Sequence, residues 1–205
     1  MEIADKACMA RGFAIPSFVD VRTGERIPFK VRHNTLSYMS AEAMAAAFGG
    51  DPSYIPARIG FVYGESSSGP SGEIGRTQTW DGLMDDLSNS DSDIQIVSFS
   101  YSPSLGGEKL SADSSSSSSP SGSDESDYTN IKPTGSNAIT FHAVSNSQTS
   151  GYRGSEAFKK DDYAYQAVLL GYHTGKYYVL SRVSLDDAQK PDGFEIALDW
   201  TVVFR

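Results

Sequence analysis

Three histidines and one cysteine are the side chains in this sequence that most often bind metals or act as nucleophiles. The histidines, His33, His142 and His173, lie in separate segments, and none has a second ligand two or four residues away. A zinc site needs three or four converging donors, and no local pair begins one here. We expect His142 to bond a backbone group on the minor face of a strand, and His173 to lie in a turn. Cys8, the single cysteine, can form neither an internal disulfide nor a thiolate cluster, so we interpret it as a small hydrophobe or an incidental thiol.

The acidic segment 85–93 has some features of a calcium-binding loop. Asn89, Asp91 and Asp93 alternate as oxygen ligands do, but Ile94 occupies the position of the required glycine and no glutamate follows at the twelfth position. The pattern therefore favours a solvated acidic loop. A divalent ion held by these carboxylates where subunits meet stays an open alternative.

Motifs for catalysis are weak in this chain. There is no Gly-x-Ser-x-Gly elbow, and the glycine-rich stretches lack the lysine of a phosphate-binding loop. Carboxylate pairs for glycoside hydrolysis could come from distant strands, but an acidic protein of this size offers such pairs by chance. We therefore expect no enzymatic activity and no cofactor. A β-sandwich enzyme with two carboxylates converging in a cleft is the competing interpretation.

Aromatic residues are plentiful, with 11 tyrosines, 10 phenylalanines and 2 tryptophans, and the tyrosines crowd into the C-terminal third. We expect most of them to pack across strands. A row that stays exposed would suit a protein interface or, alternatively, a platform for sugars. The candidate interface residues are Tyr152, Tyr163, Tyr165, Tyr172, Tyr177, Phe13 and Phe18.

The charge distribution excludes some partners. The formal net charge is −9, and residues 81–130 alone carry ten acidic residues against the one base Lys109. An acidic chain without a basic stripe has no electrostatic footprint for nucleic acid, so we expect no such partner. The sequence shows neither a signal-peptide pattern nor an apolar run of about 18 residues, which predicts synthesis in the cytoplasm and no membrane partner.

Alternation of apolar and polar residues predicts the elements that position these side chains. It is clearest over residues 193–205, where a half-buried strand is expected to pin the chain terminus into a sheet. Glycine-containing turns join residues 13–21 to 26–33 and residues 163–172 to 176–183 as hairpins. The remaining predicted strands are 58–64, 94–101 and 138–144, and a change of face in residues 94–101 indicates a bulge or a strand covered on both faces.

One helix is predicted convincingly, at residues 41–48, with Ser40 as its N-cap and with Met44 and Phe48 attaching it to the sheet. Trp80 and residues 83–87 predict a loose turn or a single helical turn. With about eight strands and no βαβ alternation, the chain predicts an all-β fold, an antiparallel β-sandwich or a jelly-roll-like barrel.

Serine, glycine and acidic residues dominate residues 102–135, including six consecutive serines, and such a segment cannot bury enough apolar surface to order itself. We interpret it as a flexible insertion into one domain formed by residues 1–101 and 136–205. An arm that orders on a partner is the alternative.

The strand pattern resembles that of small structural proteins of tailed bacteriophage virions. The segments that carry the resemblance are IPARIGFVYG (55–64), ITF (139–141), AVLLG (167–171), YVLSRV (178–183) and the terminal strand 196–204 with its central Trp200. Proteins of this kind are β-sandwiches that decorate or cement the capsid shell, or that lie at the tail or neck. The serine-rich insertion is not part of the pattern.

The resemblance implies a role without catalysis in the virion, after synthesis in the host cytoplasm. The implied partners are the major capsid protein or other virion proteins, bound by a homo-oligomer, with a trimer favoured. A tail, neck or fibre-associated protein that binds a receptor or carbohydrate is the alternative.

Overall fold

The computed structural model describes residues 11–36, 56–70, 74–77, 79–103, 138–145 and 161–203, together with the isolated positions 42, 43, 45, 46 and 49. In chain order the strands and the helix of these ranges are β1 (Arg11–Asp20), β2 (Arg26–Pro28), β3 (Arg32–His33), β4 (Thr35–Leu36), β5 (Pro56–Gly64), α1 (Trp80–Ser88), β6 (Ser92–Val97), β7 (Phe99–Pro103), β8 (Ala138–Ser145), β9 (Tyr163–His173), β10 (Lys176–Gln189) and β11 (Phe194–Val203). In this part of the chain no helix has the length and hydropathy needed to cross a bilayer.

The strands form two antiparallel sheets. Sheet 1 has six strands in the order β2-β1-β11-β8-β7, with β3 also paired to β1, and sheet 2 has five in the order β4-β10-β9-β5-β6. The prediction of an all-β antiparallel sandwich is confirmed. The barrel alternative is wrong, because the two sheets stay separate and do not close on each other.

The main hydrophobic core lies between the sheets. Its large side chains come from alternate positions of facing strands, as the two-residue period of a strand requires. Trp200 and Phe61, both fully buried, are the largest of them. The core also includes Ile59, Tyr63, Val97, Phe141, Leu169, Leu180, Val183, Leu185, Ile196, Leu198 and Val202.

A second, smaller core covers the outer face of sheet 2 beneath α1. Thr79 caps this helix, since its Oγ1 accepts a hydrogen bond of 3.3 Å from the backbone N–H of Gly82. Apolar residues recur along α1 at Trp80, Leu83, Met84 and Leu87, which places them on one face, and Leu83 and Leu87 are fully buried. The prediction of a loose turn here is wrong, because this segment is a nine-residue α-helix.

The predicted strand 94–101 is also wrong, since it is two strands in different sheets. β6 pairs with β5 in sheet 2, and β7 pairs with β8 in sheet 1, with Ser98 between them. The side chains of Val97 and Phe99 both pack against the core between the sheets. The change of face in the sequence therefore marks the point where the chain crosses from one sheet to the other.

Two further predictions need adjustment, and a third is confirmed at the positions that the structure describes. The hairpin after β1 is confirmed, with Gly24 at φ +74°, but its second strand is divided into β2 and β3. β11 carries buried residues on both faces instead of one, since Ala197, Thr201 and Val203 on its outer face are buried as well as the core side chains. In the predicted helix 41–48 positions 42, 43, 45 and 46 are helical, and Ser40, Met44 and Phe48 lie outside the described residues.

Candidate protein interface

The β9–β10 hairpin presents two of the candidate interface tyrosines on neighbouring strands. Its turn is the two residues Thr174 and Gly175, with φ values of 48° and 83°, and it sets Tyr172 directly opposite Tyr177. Positive φ at both turn positions matches the right-handed twist of the strands, so this short connection fixes the register. The predicted pairing of these strands as a hairpin is confirmed.

Trp80, Tyr172 and Tyr177 form a contiguous group that we call the aromatic patch. The ring centroids of Trp80 and Tyr177 are 5.2 Å apart, and those of Tyr172 and Tyr177 are 5.1 Å apart, both pairs tilted. Tyr172 is 49% exposed, and the other two are half-buried against the core beneath α1. The Nζ of Lys176 lies 3.0 Å from the Oδ2 of Asp81, which ties the hairpin to the first turn of α1.

The other candidate tyrosines lie elsewhere. Tyr163 is half-buried at the opposite end of β9. Tyr165 is 3% exposed, and its hydroxyl donates a hydrogen bond of 2.8 Å to the backbone oxygen of Ser66. Burial is the main reason that the pKa of Tyr165 is raised. Tyr152 lies outside the described residues. The structure therefore brings Tyr172 and Tyr177 together but does not join Tyr163 or Tyr165 to them.

The two candidate phenylalanines lie on opposite faces of sheet 1. Phe13 is half-buried on the outer face, opposite Thr201. Phe18 packs edge-to-face on Phe29 and Phe194, with centroid distances of 4.4 and 6.4 Å. In the same β1–β2 hairpin Val21 and Ile27 are 62% and 49% exposed.

The three histidines lie on three different strands. The Nδ1 of His142 lies 2.7 Å from Oδ1 of Asp199, so one of its partners is a carboxylate, and the expected bond to a backbone group stays a prediction. His173 is the last residue of β9 and pairs with Lys176, so it is the first residue of the four-residue turn that has Thr174 and Gly175 at its centre. His33 lies on β3, opposite Phe13.

The acidic segment 85–93 is divided among several elements. Asp85 and Asp86 lie on α1, Asn89 caps its C-terminus, Asp91 lies in a turn, and Asp93 lies on β6 opposite Tyr63. Within the described ranges, no three His, Cys, Asp or Glu side chains are arranged to hold a metal ion. The residues belong to three different local structures and do not form one binding loop.

Comparison of the chain with protein-family models, with curated proteins and with solved structures found no significant match. The class of protein is therefore defined by its architecture, a two-sheet sandwich with an aromatic patch at one hairpin. Trp80 was not predicted as an interface residue. The sequence does contain a signal for the position of Trp80. Thr79 is an N-cap residue and apolar residues follow at three- and four-residue spacing, which together place Trp80 at the start of a helix.

Proposed function

We propose that this protein is a structural protein of a tailed-bacteriophage virion and that it decorates the capsid shell by binding the major capsid protein. In this proposal it acts by offering surface to other proteins, without catalysis, and needs no cofactor, nucleic acid or membrane. The observation that carries the proposal is the aromatic patch, in which Tyr172 is 49% exposed while its neighbours are anchored in the core of the domain.

The aromatic patch has the physical properties of a binding hot spot. Tyrosine and tryptophan supply large contact areas and lose little conformational entropy on binding, because few side-chain torsions must be fixed. Contacts between the rings and the ion pair of Lys176 with Asp81 restrict the patch further before any partner binds. A rigid aromatic surface of this kind favours association with another folded protein.

Repetition on a shell would strengthen a modest patch. A homotrimer presents three copies of the patch at once, and binding of the second and third copies is then intramolecular, so avidity exceeds the affinity of one site. This is the physical basis on which we place the protein on a symmetric lattice, with synthesis in the host cytoplasm before assembly.

The first test measures where the protein is found and in what number. Mass spectrometry of purified particles of the encoding phage should detect hundreds of copies per virion, and light scattering of the isolated protein should give the mass of a trimer. About a dozen copies or fewer would move the protein to the tail or neck. Absence from purified particles would overturn the virion proposal.

The second test addresses the patch. Replacement of Tyr172 and Tyr177 by serine should weaken binding of the protein to shells that lack it, measured by co-sedimentation. Val144→Ser is the matched control, because Val144 is 39% exposed on the outer face of sheet 1, away from the patch. Equal binding of the patch variant and the control variant would exclude the patch as the interface.

A fibre-associated protein that binds a carbohydrate receptor is the second candidate. The exposed ring of Tyr172 favours it, since a sugar can stack on an aromatic face. This candidate predicts glycan binding that Tyr172→Ser abolishes, measured on a glycan array. Retention of shell binding with no glycan bound would reject it.

A further inference from the structure

A groove of about 650 Å³ lies on the side of sheet 2 that α1 covers. One wall is the loop after β5, and the other is the C-terminal end of α1 with the turn that leads into β6. Its lining is mostly polar, with five serines, and comprises Ser66, Ser68, Pro70, Ile74, Arg76, Asp86, Ser88, Asn89, Ser90, Asp91, Ser92 and Tyr165. None of these residues belongs to the aromatic patch.

Most hydroxyl protons around the groove are already committed to the protein. Three serine hydroxyls donate to backbone oxygens: Ser66 to Ser68 at 3.0 Å, Ser88 to Met84 at 2.7 Å, and Ser90 to Leu87 at 3.2 Å. A hydroxyl has one proton and two lone pairs, so these groups can still accept from a ligand. In Ser66 one lone pair already accepts a hydrogen bond of 3.2 Å from the backbone N–H of Ser68. The Tyr165 hydroxyl likewise donates to the backbone oxygen of Ser66, at 2.8 Å.

The amide and carboxylate groups follow the same pattern. The Nδ2 of Asn89 donates to the backbone oxygen of Asp85 at 2.9 Å, which leaves its Oδ1 as an acceptor. Asp86 and Asp91 contribute carboxylates to the lining. The side chains of the lining therefore offer more acceptors than donors, the donors being Arg76 and the hydroxyls of Ser68 and Ser92.

The electrostatics of the groove also favour a cation. Its lining carries two carboxylates, Asp86 and Asp91, against one base, Arg76, which is exposed. The C-terminal end of α1 adds partial negative charge, and the last turn of α1 contains no basic residue to offset it. After burial, the charges of Asp187, Asp162 and Asp91 raise the pKa of Tyr165, which is consistent with negative potential around the groove.

We infer that this groove binds a guanidinium group, supplied by an arginine side chain of a protein partner. A guanidinium has five donors and no acceptor, so it complements a lining whose donors are already used. A sugar needs donors as well as acceptors, and an anion is repelled by the carboxylates. The preference for a cation depends on the groove alone, whereas the assignment of the arginine to a partner protein rests on the proposed function.

Binding can be tested on the intact chain by NMR titration with three probes. These are the tripeptide Gly-Arg-Gly, the same peptide with citrulline in place of arginine, and N-butylguanidinium as a free guanidinium with the same net charge as the arginine peptide. We expect Gly-Arg-Gly to shift the amide resonances of Ser66, Ser68 and residues 88–92, and the neutral citrulline peptide to leave them unchanged. Equal shifts with the citrulline peptide would overturn the inference.

Charge variants give the second arm of the test. Asp91→Asn should weaken Gly-Arg-Gly binding about 5-fold, and Arg76→Gln should strengthen it about 2-fold, as expected for exposed charges. Asp85→Asn is the matched control, since Asp85 is exposed on α1 but does not line the groove. If Asp85→Asn weakens binding as much as Asp91→Asn does, binding reflects general electrostatic attraction to the acidic protein. That result would overturn the inference of a site in the groove.

Comparison of the probes separates the source of the guanidinium. Tighter binding of the peptide than of N-butylguanidinium supports a protein partner, because the peptide adds contacts beyond the side chain. Tighter or equal binding of N-butylguanidinium overturns that assignment and identifies a small-molecule site. Neither result depends on the shell-binding measurement of the Tyr172 and Tyr177 variants, so failure of the groove and failure of the proposed function are distinguishable.

Discussion

His142 and Asp199 face each other on adjacent strands of sheet 1, with Nδ1 of the imidazole 2.7 Å from Oδ1 of the carboxylate. The other carboxylate oxygen, Oδ2, lies 2.8 Å from Nη1 of Arg26 on β2. Since β1 separates β2 from β11, this second contact reaches across a whole strand. The Asp199 carboxylate therefore links β2, β11 and β8 on the outer face of the sheet.

Replacement of Asp199 by asparagine should lower the free energy of unfolding by about 1 kcal/mol, since the side chain is 27% exposed and both its contacts are only partly shielded. Urea denaturation at low ionic strength measures the loss, and about 1 M salt should reduce it by screening. In a double-mutant cycle, Arg26→Gln should cost less in the Asp199→Asn background than in the wild type. If the costs of the two substitutions add fully in the double variant, the contact between Arg26 and Asp199 contributes nothing to stability.

Strand periodicity predicted β9, β10 and β11 well, because alternation and turn glycines are local signals. It could not assign β6 and β7 to different sheets. Val97 and Phe99 are separated by one residue and both face the core, and a bulge within one strand gives the same sequence pattern as a crossing between sheets. The choice depends on pairing with β5 and β8, which are distant in sequence.

The candidate interface was predicted in part for a similar reason. Tyr172 and Tyr177 flank a short turn, so their proximity follows from the hairpin alone. Trp80 reaches them because α1 packs on the outer face of sheet 2, and that packing depends on Leu83 and Leu87 meeting residues of several strands. Tyr165 was predicted as an interface residue because tyrosines are frequent in this part of the sequence. It lies on β9, a central strand of sheet 2, and its side chain is buried.

The β9–β10 turn gives a prediction about backbone strain. Thr174 has φ 48°, which a β-branched residue adopts unfavourably, so Thr174→Asn should stabilise the protein by about 0.5 kcal/mol. Gly175→Ala should destabilise it by about 1 kcal/mol at φ 83°. A Cβ at Gly175 would meet no atom within 4 Å, so that loss isolates backbone strain from steric contact. Thermal denaturation of both variants measures the effects, and stabilisation by Gly175→Ala would contradict the turn geometry.

The indole of Trp200 gives a second stability prediction. Trp200 is fully buried, and its Nε1 finds no hydrogen-bond partner in the described chain. Trp200→Ala should cost about 3–5 kcal/mol through loss of packing. Trp200→Phe should cost less than half as much, because most of the ring volume is kept and an unpaired buried donor is removed. Chemical denaturation compares the two variants, and a similar cost for both would show that the indole N–H has a favourable partner.

The alkaline limit of stability should depend on Tyr63. Burial, and then the charges of Asp93 and Asp162, raise the pKa of Tyr63 well above its ordinary value of 10.0. The folded protein therefore keeps this proton above pH 10, where the unfolded chain releases it. Because the folded state then binds more protons than the unfolded state, the free energy of unfolding falls as pH rises from about 10.

Tyr63→Phe removes this contribution, so the difference in unfolding free energy between wild type and variant should shift in favour of the variant from pH 9 to 11. Urea denaturation across that range measures the shift, with Tyr172→Phe, at an exposed position, as the control. A difference that stays constant with pH would mean that Tyr63 ionises as readily in the folded protein as in the unfolded chain.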